Sequence, residues 1–390
     1  MRVGILGGGQ LGLMLTHALE KLGAHVLSLE ADAQAPAHLR LAHVRCASLL
    51  DAHALSAFFN EVEVACYETE NLPTLHLGPY AEKLRPSLST LKTCQNRLLE
   101  KNFLSAHGFP TARYAAVAKG NCMQSACRQL GFPCILKTTQ GGYDGKGQIR
   151  FENEAALSKI TPYAQEDCIV EEALQLHGEI SCIVARFTTG VCHCFPVFEN
   201  IHHQHILDFT LLPARFPEIL QNQAKQMAVA IAEALDVCGL LTVEFFVTQK
   251  TSGELQLRVN ELAPRPHNSG HITRKATSFS QFDALAHVLC QTPMPPPTLL
   301  PGGWCMGNLL GNVWLSQKSQ GPLHLAAWGD FPEVLEVYLY GKREAKPQRK
   351  MGHFILKADN AQQALSKAAA FRNALCMHKI LPSGRGSVAN

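Results

Sequence analysis

The sequence predicts a chain of mixed α/β and α+β class with two or three domains, on three observations. A strand, a glycine turn and an amphipathic helix fill residues 2–22, the opening of a parallel βαβ layer. From about residue 110 short strands with turn residues between them take over. Pro293, Pro295, Pro296, Pro297 and Pro301, followed by Gly302-Gly303, then set a last segment apart. With 390 residues, 46% of them hydrophobic, the chain can supply a core to each unit.

Thirty-five Lys and Arg against 32 Asp and Glu leave a net charge of +3, which excludes a polybasic nucleic-acid arm or an acidic tail as the organising feature. No apolar stretch approaches the roughly 18 residues that span a bilayer, and strand 2–6 runs into Gly7-Gly8-Gly9 without a leader pattern. A cytoplasmic protein with no membrane or nucleic-acid partner is expected. The 14 cysteines are scattered with no C-x-x-C, the pattern of reduced core thiols.

In order, strand 2–6 precedes a helix whose Leu11, Leu15, Ala18, Leu19 and Leu22 form one stripe, closed by Gly23. Strand 24–30, a helix opened by Asp51 and strand 62–68 complete a first domain, 1–90. A helix from about residue 89, carrying Leu91, Leu98, Leu99 and Phe103, is expected to run to Gly108. Strands follow at 134–137, 147–151, 169–174, 179–187 and 191–198, the last two joined at Thr188-Thr189-Gly190. A helix at 221–235 and a hairpin of strands 241–247 and 254–261, turning near Ser252-Gly253, close the second domain, 91–298. A small third domain takes 299–390, with a tail, 382–387, of mobile composition.

Four motifs carry chemistry. Gly7-x-Gly9-x-x-Gly12 between strand and helix, with Glu30 ending the next strand, fits a dinucleotide fingerprint formally, but any tight strand-to-helix turn favours glycine. The loop 141–148 has four glycines in seven residues, and its bare amides can fold over a polyphosphate while Lys137 and Lys146 bring charge. Glu244 sits among Val243, Phe245 and Phe246, and Asn260-Glu261 ends the partner strand. Carboxylates in apolar strands are costly unless coordinated, and this oxygen set suits magnesium bridging nucleotide phosphates. In the segment 262–271, Pro264 and Pro266 fix the backbone while Arg265, His267, Asn268, Ser269 and His271 fall within seven residues, the density of a binding loop. A flexible hairpin and a surface pair of glutamates remain the bland alternatives for the second and third motifs. Cys192-His193-Cys194 and His202-His203-x-His205 lack zinc spacing.

Taken together, Gly7-Gly8-Gly9-Gln10-Leu11-Gly12, Glu68-Thr69-Glu70-Asn71, Gln95-Asn96-Arg97-x-x-Glu100-Lys101, the loop 141–148, Asn260-Glu261-Leu262-Ala263-Pro264-Arg265, His267-Asn268-Ser269-Gly270-His271 and Arg349-Lys350-Met351-Gly352-His353 resemble the ATP-grasp enzymes, and within them the 5-(carboxyamino)imidazole ribonucleotide synthase family of purine biosynthesis. The resemblance runs from residue 2 to about 356. It implies an ATP-grasp fold behind a Rossmann-like N-terminal domain, with a small C-terminal domain, and a homodimer. The implied reaction joins bicarbonate to 5-aminoimidazole ribonucleotide with ATP, through carboxyphosphate, releasing ADP and phosphate.

Carried over by motif, the resemblance assigns ATP to Arg97, Lys137, Gly142, Tyr143, Asp144, Gly145, Lys146, Gly147, Gln148, Glu171, Glu172, Ala173, Leu174, Glu179, His202, Asn260 and Glu261. Magnesium falls to Glu244 and Glu261. The ribonucleotide falls to Gln10, Leu11, Glu68, Asp144, Arg265, His267, Asn268, Ser269, Lys342, Arg349 and Lys350, with Arg265, His267 and Lys137 implied in catalysis. The chain departs from the pattern at Thr138-Thr139-Gln140, where arginines are usual, at Leu13, and at His205. Rival expectations are a formate-using ATP-grasp ribonucleotide ligase, a nicotinamide oxidoreductase and a silent nucleotide-binding protein.

Overall fold

The computed structural model describes residues 1–41, 43–119, 123–142, 146–163, 166–317, 323 and 325–377. Its first sheet is parallel throughout, in the order β3-β2-β1-β4, from β1 (Arg2–Leu6), β2 (His25–Glu30), β3 (Val44–Cys46) and β4 (Val64–Tyr67). Alternation along β1 sends Val3 and Ile5 to the helix Gln10–Lys21, while Leu6 joins Phe58 and Phe59 of the helix Ala52–Glu61. Asp51 caps that second helix, accepting from His53 N at 2.9 Å and Ala54 N at 3.1 Å, as its position in the sequence suggests. The short strand β3 was not expected. Its three residues centre on Arg45 and are half-buried or exposed, so they carry no apolar alternation.

The single helix expected from residue 89 is two, Leu88–Gln95 and Arg97–Ala106. Asn96 separates them with extended backbone, and its Oδ1 accepts from Leu98 N at 2.9 Å and Leu99 N at 3.1 Å. An asparagine side chain competes for helix-terminal amides better than it supports a helix interior, and this break lets Arg97 N donate to Thr139 O at 2.9 Å.

The second sheet is antiparallel in the order β5-β8-β6-β7, from β5 (Tyr114–Val117), β6 (Cys134–Thr138), β7 (Gln148–Phe151) and β8 (Cys168–Glu172). Residues 143–145, in the loop between β6 and β7, lie outside the described residues, as does the tail 378–390.

The third sheet contains β9 (Leu176–Arg186), β10 (Cys192–Cys194), β11 (Phe198–His203), β12 (Ile206–Leu212), β13 (Gly239–Gln249), β14 (Leu255–Ala263), β15 (Gly303–Leu310), β16 (Val334–Leu339) and β17 (Lys350–Ala358). Its order is β14-β13-β9-β11-β12-β15-β17-β16, with β10 also on β9. The strand expected over 191–198 is interrupted, and Pro196, which has no N–H for the ladder, lies in the gap before β11. The proline-rich segment is irregular as expected, yet the strand after it, β15, pairs with β12 in the register Thr210↔Met306. The expected third unit therefore shares a sheet with the second.

Apolar clusters fasten the sheet on both faces. Ala224, Ala228 and Ile231 of the helix Glu218–Ala234 cover one face. Phe282, Leu285 and Leu289 of the helix Gln281–Leu289 lie in a single core with Leu11, Leu15 and Leu19 of the N-terminal helix. That shared core seats the first sheet's glycine turn beside the loop following β14.

Candidate active site

Two strands bring the first charged cluster together. Lys137 on β6 and Glu171 on β8 lie on one face, and Lys137 Nζ donates to Glu171 Oε2 at 2.6 Å, with 7% and 3% of each residue exposed. Lys101, only 1% exposed, reaches Glu171 Oε1 at 3.7 Å. Burial pushes the Glu171 carboxyl up, but the two lysines outweigh it and hold it at about 2. Burial drives the Lys101 ammonium the other way, downwards.

In the hinge after Glu171, Glu172 N donates to Arg113 O and Ala173 N to Pro133 O, while Arg113 N and Nε take the Glu172 carboxylate at 2.8 and 2.7 Å. The Glu172 side chain therefore faces Arg113, and Leu174 follows at the entry to β9. At the two ends of the loop 141–148, Gly142 O accepts from Arg97 Nη2 at 3.2 Å, Gly147 O accepts from Thr138 N, and Gln148 pairs with Lys137 in the ladder. Lys146 is exposed beside them, while Tyr143, Asp144 and Gly145 are outside the described residues.

The acidic hairpin is built on a bulge. Glu244 pairs with Glu261 across β13 and β14, and Phe245 pairs with Val259, so Asn260 is the extra residue. The alternation of β14 breaks there, and consecutive Asn260 and Glu261 are both partly exposed. Glu261 Oε2 accepts from Arg97 Nη1 at 3.3 Å, and Glu244 Oε1 lies 2.8 Å from His267 Nε2. Burial raises the Glu244 carboxyl, but His267, His202 and Lys350 together hold it at about 2. His202 Nδ1 in turn lies 3.2 Å from Glu179 Oε1, and although burial disfavours its charge, the Glu179 carboxylate raises its pKa.

Two carboxylates side by side and an amide whose 3.5 Å bond from Asn260 Nδ2 to Glu244 Oε2 is weak suit a hard divalent cation completed by phosphate oxygens. Among the described residues no group of three His, Cys, Asp or Glu side chains could hold a metal by itself.

The segment after β14 supplies the rest. The Arg265 guanidinium is gripped by Glu70, with Nε donating to one carboxylate oxygen and Nη2 to the other, the latter at 3.0 Å, and Nη1 donates to Pro266 O at 3.1 Å. One N–H on each Nη is left over. Burial raises the Glu70 carboxyl, and Arg265 more than reverses that, to about 2. His267 Nδ1 lies 2.8 Å from Ser269 Oγ, which contacts Ser181 Oγ at 3.0 Å, and Asn200 Nδ2 donates to Ser181 Oγ at 2.8 Å. Gln281 brackets the His267 backbone, accepting from its N and donating to its O, both at 2.8 Å. The Asn268 Nδ2 is buried with no hydrogen-bond partner.

At the opposite wall the glycine turn already holds anions of the protein's own. Gly9 N and Gly12 N donate to the two oxygens of Glu68, the latter at 2.6 Å, and Gly8 N donates to Glu30 Oε2 at 2.8 Å. A Cβ on Gly7 would come within 2.4 Å of Glu68 Cγ, so the glycines admit Glu68 where a dinucleotide phosphate would sit. The fingerprint spacing therefore serves an internal carboxylate. Burial raises the Glu68 pKa, and the Lys342 charge opposes it. Lys342 Nζ donates to Lys350 O at 3.0 Å, Arg349 Nη1 to Glu344 O at 2.9 Å, and Lys350 opens β17. Gln10 and Leu11 start the helix below the turn. The Lys342 charge acts on Glu68, and the Lys350 charge on Glu244 and His202.

With this geometry in place, residues 1–95 match the ribonucleotide synthetase preATP-grasp domain, 102–282 the ATP-grasp domain and 305–367 the phosphoribosylaminoimidazole carboxylase C-terminal domain. Over 359 residues the chain is 36% identical to the N5-carboxyaminoimidazole ribonucleotide synthase of Bacillus subtilis strain 168, covering 90% of each. The chain belongs to the N5-carboxyaminoimidazole ribonucleotide synthase family. It is an ATP-grasp ligase of purine biosynthesis, as the motifs implied. A bifunctional purine synthesis protein, purC/E of Dictyostelium discoideum, is 35% identical over 386 residues, which cover 90% of this chain and 36% of that protein. Among solved structures, an N5-carboxyaminoimidazole ribonucleotide synthetase in complex with ADP superposes with a TM-score of 0.87 at 36% identity, covering 95% of this chain and 96% of that one. The N5-carboxyaminoimidazole synthase of Aspergillus clavatus in complex with ADP and 5-aminoimidazole ribonucleotide gives 0.84 at 26% identity, covering 96% and 98%.

Sequence reasoning passed over Glu70, Lys101 and Gln281 as site residues. Glu70 and Lys101 lay inside motifs that carry the resemblance, but only the fold shows them against Arg265 and Glu171. The bulge had a legible signal: Leu255, Leu257 and Val259 keep one parity, and Leu262 has the other.

Proposed function

We propose that this chain carboxylates 5-aminoimidazole ribonucleotide with bicarbonate at the expense of ATP, with the nucleotide between the β6–β8 sheet and the β13–β14 hairpin. The observation that supports it most is the convergence of Glu244, Glu261, Arg97, Arg265 and His267 at one end of that hairpin, opposite Lys137. In this reading Lys137, Arg97 and the loop 141–148 hold the phosphates, Glu171, Glu172, Ala173, Leu174 and Glu179 the nucleoside end, and His202 and Asn260 the groove between. Gln10, Leu11, Glu68, Asn268, Ser269, Lys342, Arg349 and Lys350 bind the ribonucleotide. Glu244 and Glu261 would hold magnesium, which when bound neutralises the transferring phosphoryl group.

A bicarbonate oxygen attacks the γ-phosphorus and ADP leaves, giving carboxyphosphate. The exocyclic amine then takes the carbon, phosphate leaves, and the amine loses a proton. The two free N–H groups of Arg265, its orientation fixed by Glu70, are placed to hold the carboxyphosphate oxygens. His267, held by Glu244 on Nε2 and by Ser269 on Nδ1, is oriented toward the same carboxyphosphate end, and the leaving phosphate is the base that takes the amine's proton.

The same reading divides the chain at 1–90, 91–298 and 299–390, pairs it as a homodimer and places it in the cytosol, supported by the family resemblance. ADP release measured with bicarbonate, with formate and with neither, each with and without the ribonucleotide, tests the reaction. Release that needs bicarbonate and ribonucleotide together is expected. Formate supporting equal turnover, or no release with bicarbonate, would overturn it.

A further inference from the structure

Lys101 is the least exposed cation beside the site and has no role in the reading above. Its Nζ donates to Thr111 Oγ1 at 2.6 Å, to Asn260 O at 3.3 Å and to Val259 O at 3.5 Å, and lies 3.7 Å from Glu171 Oε1. Two of those acceptors flank the bulge that turns Asn260 and Glu261 into the site. The fourth partner, Glu171, is the carboxylate that holds Lys137.

The Glu171 oxygens are unequally served. Oε2 has the short bond from Lys137, whereas Oε1 is buried with no hydrogen-bond partner, its nearest cation being Lys101. A phosphate drawing Lys137 away would leave Glu171 as a buried, unpaired anion unless a second cation remained. Lys101 is that cation, already in place and unable to reach solvent.

We propose that Lys101 is a positioning residue for nucleotide binding: it retains Glu171 when Lys137 is recruited to a phosphate, and it fixes the bulge at Asn260. Without Lys101, Glu171 would keep Lys137, and the phosphates would lose their cation. The inference rests on Lys137 as a phosphate contact, and the test separates the two.

Calorimetric titration of the full chain with ADP and with adenosine gives the readout, on wild type and the variants K101M, K101Q and K137M. Methionine keeps the length and bulk of lysine, and the Lys137–Glu171 pair remains intact in K101M. ADP should bind K101M at least tenfold more weakly, while adenosine, having no phosphate, should bind within twofold of wild type. A purely structural role would weaken both ligands alike and overturns the proposal. K101Q, which keeps a donor toward Asn260 O but carries no charge for Glu171, should lose ADP affinity to a similar extent and leave adenosine within twofold. Should K101M fail to fold, K101Q decides: ADP affinity there within twofold of wild type overturns the proposal. Wild-type ADP affinity in K101M alongside a large loss in K137M overturns the inference and leaves Lys137 as a phosphate contact. Unchanged affinity in K137M instead overturns the Lys137 assignment itself.

Discussion

Glu261 differs from Glu244 in what neutralises it, for Glu244 is held by His267 at 2.8 Å and Glu261 by the longer contact from Arg97, 3.3 Å. The weaker partner leaves Glu261 the readier to take a cation. Glu261→Gln keeps the shape and removes the charge, so it should shift the magnesium dependence of turnover upward by about tenfold or more. The thermal midpoint should stay within a few degrees of wild type. An unchanged magnesium profile would remove Glu261 from the metal site. Arg349 presents a parallel case in the basic segment, where its Nη1 donates to a backbone carbonyl of its own loop, Glu344 O. A phosphate contact from arginine is worth roughly 1.5–3 kcal/mol, so Arg349→Ala should raise the Michaelis constant for the ribonucleotide about tenfold and leave that for ATP unchanged. A change below twofold for the ribonucleotide would return Arg349 to ordinary surface.

The break at Asn96 decides where Arg97, Glu100 and Lys101 point, because the helix Arg97–Ala106 starts from that cap. Replacing an N-cap asparagine by alanine typically costs about 0.5–2 kcal/mol, so Asn96→Ala should lower the urea midpoint accordingly and weaken ADP binding with it. A loss of stability with ADP affinity intact would separate the cap from the site. This break also marks where local pattern stops being informative. Leu91, Leu98, Leu99 and Phe103 read as one helical stretch because apolar spacing is insensitive to a one-residue interruption, while the cap was written in the residue type. The strand–turn–helix opening, the hairpin 239–263 and its paired carboxylates were legible because each needs only neighbours in sequence. Pairing of β12 with β15 was not, since an edge-to-edge union between residues some hundred apart leaves no local periodicity. The Arg265–Glu70 pair was hidden for the same reason, its partners lying 195 positions apart.

Across the whole molecule, buried carboxyls are pushed in opposite directions, and stability should follow pH accordingly. Glu70, Glu171 and Glu244 are each held at about 2 by cations that outweigh burial, against an ordinary value of 4.5. A carboxyl lowered on folding adds stability above its unfolded pKa and loses it as pH falls through the folded one, here between about 4.5 and 2. A shift of that size corresponds to on the order of 3 kcal/mol, and the three share too few partners to cancel one another. Glu100 runs the other way. Burial first, then the Glu261 charge, push its carboxyl up to about 8, while its Oε2 accepts from Leu262 N at 2.8 Å. A carboxyl raised on folding contributes stability below its unfolded pKa of 4.5 and loses it as pH rises through about 8. Urea midpoints taken from pH 3 to pH 9 should therefore fall steeply below about pH 4.5 and more gently toward pH 8. Glu100→Gln keeps an acceptor for Leu262 N but cannot ionise, so it should flatten the alkaline side and leave the acid side unchanged. An alkaline slope identical to wild type in that variant would show that Glu100 is ionised in the fold at neutral pH, and that Arg97 and Lys101 neutralise it more fully than burial opposes.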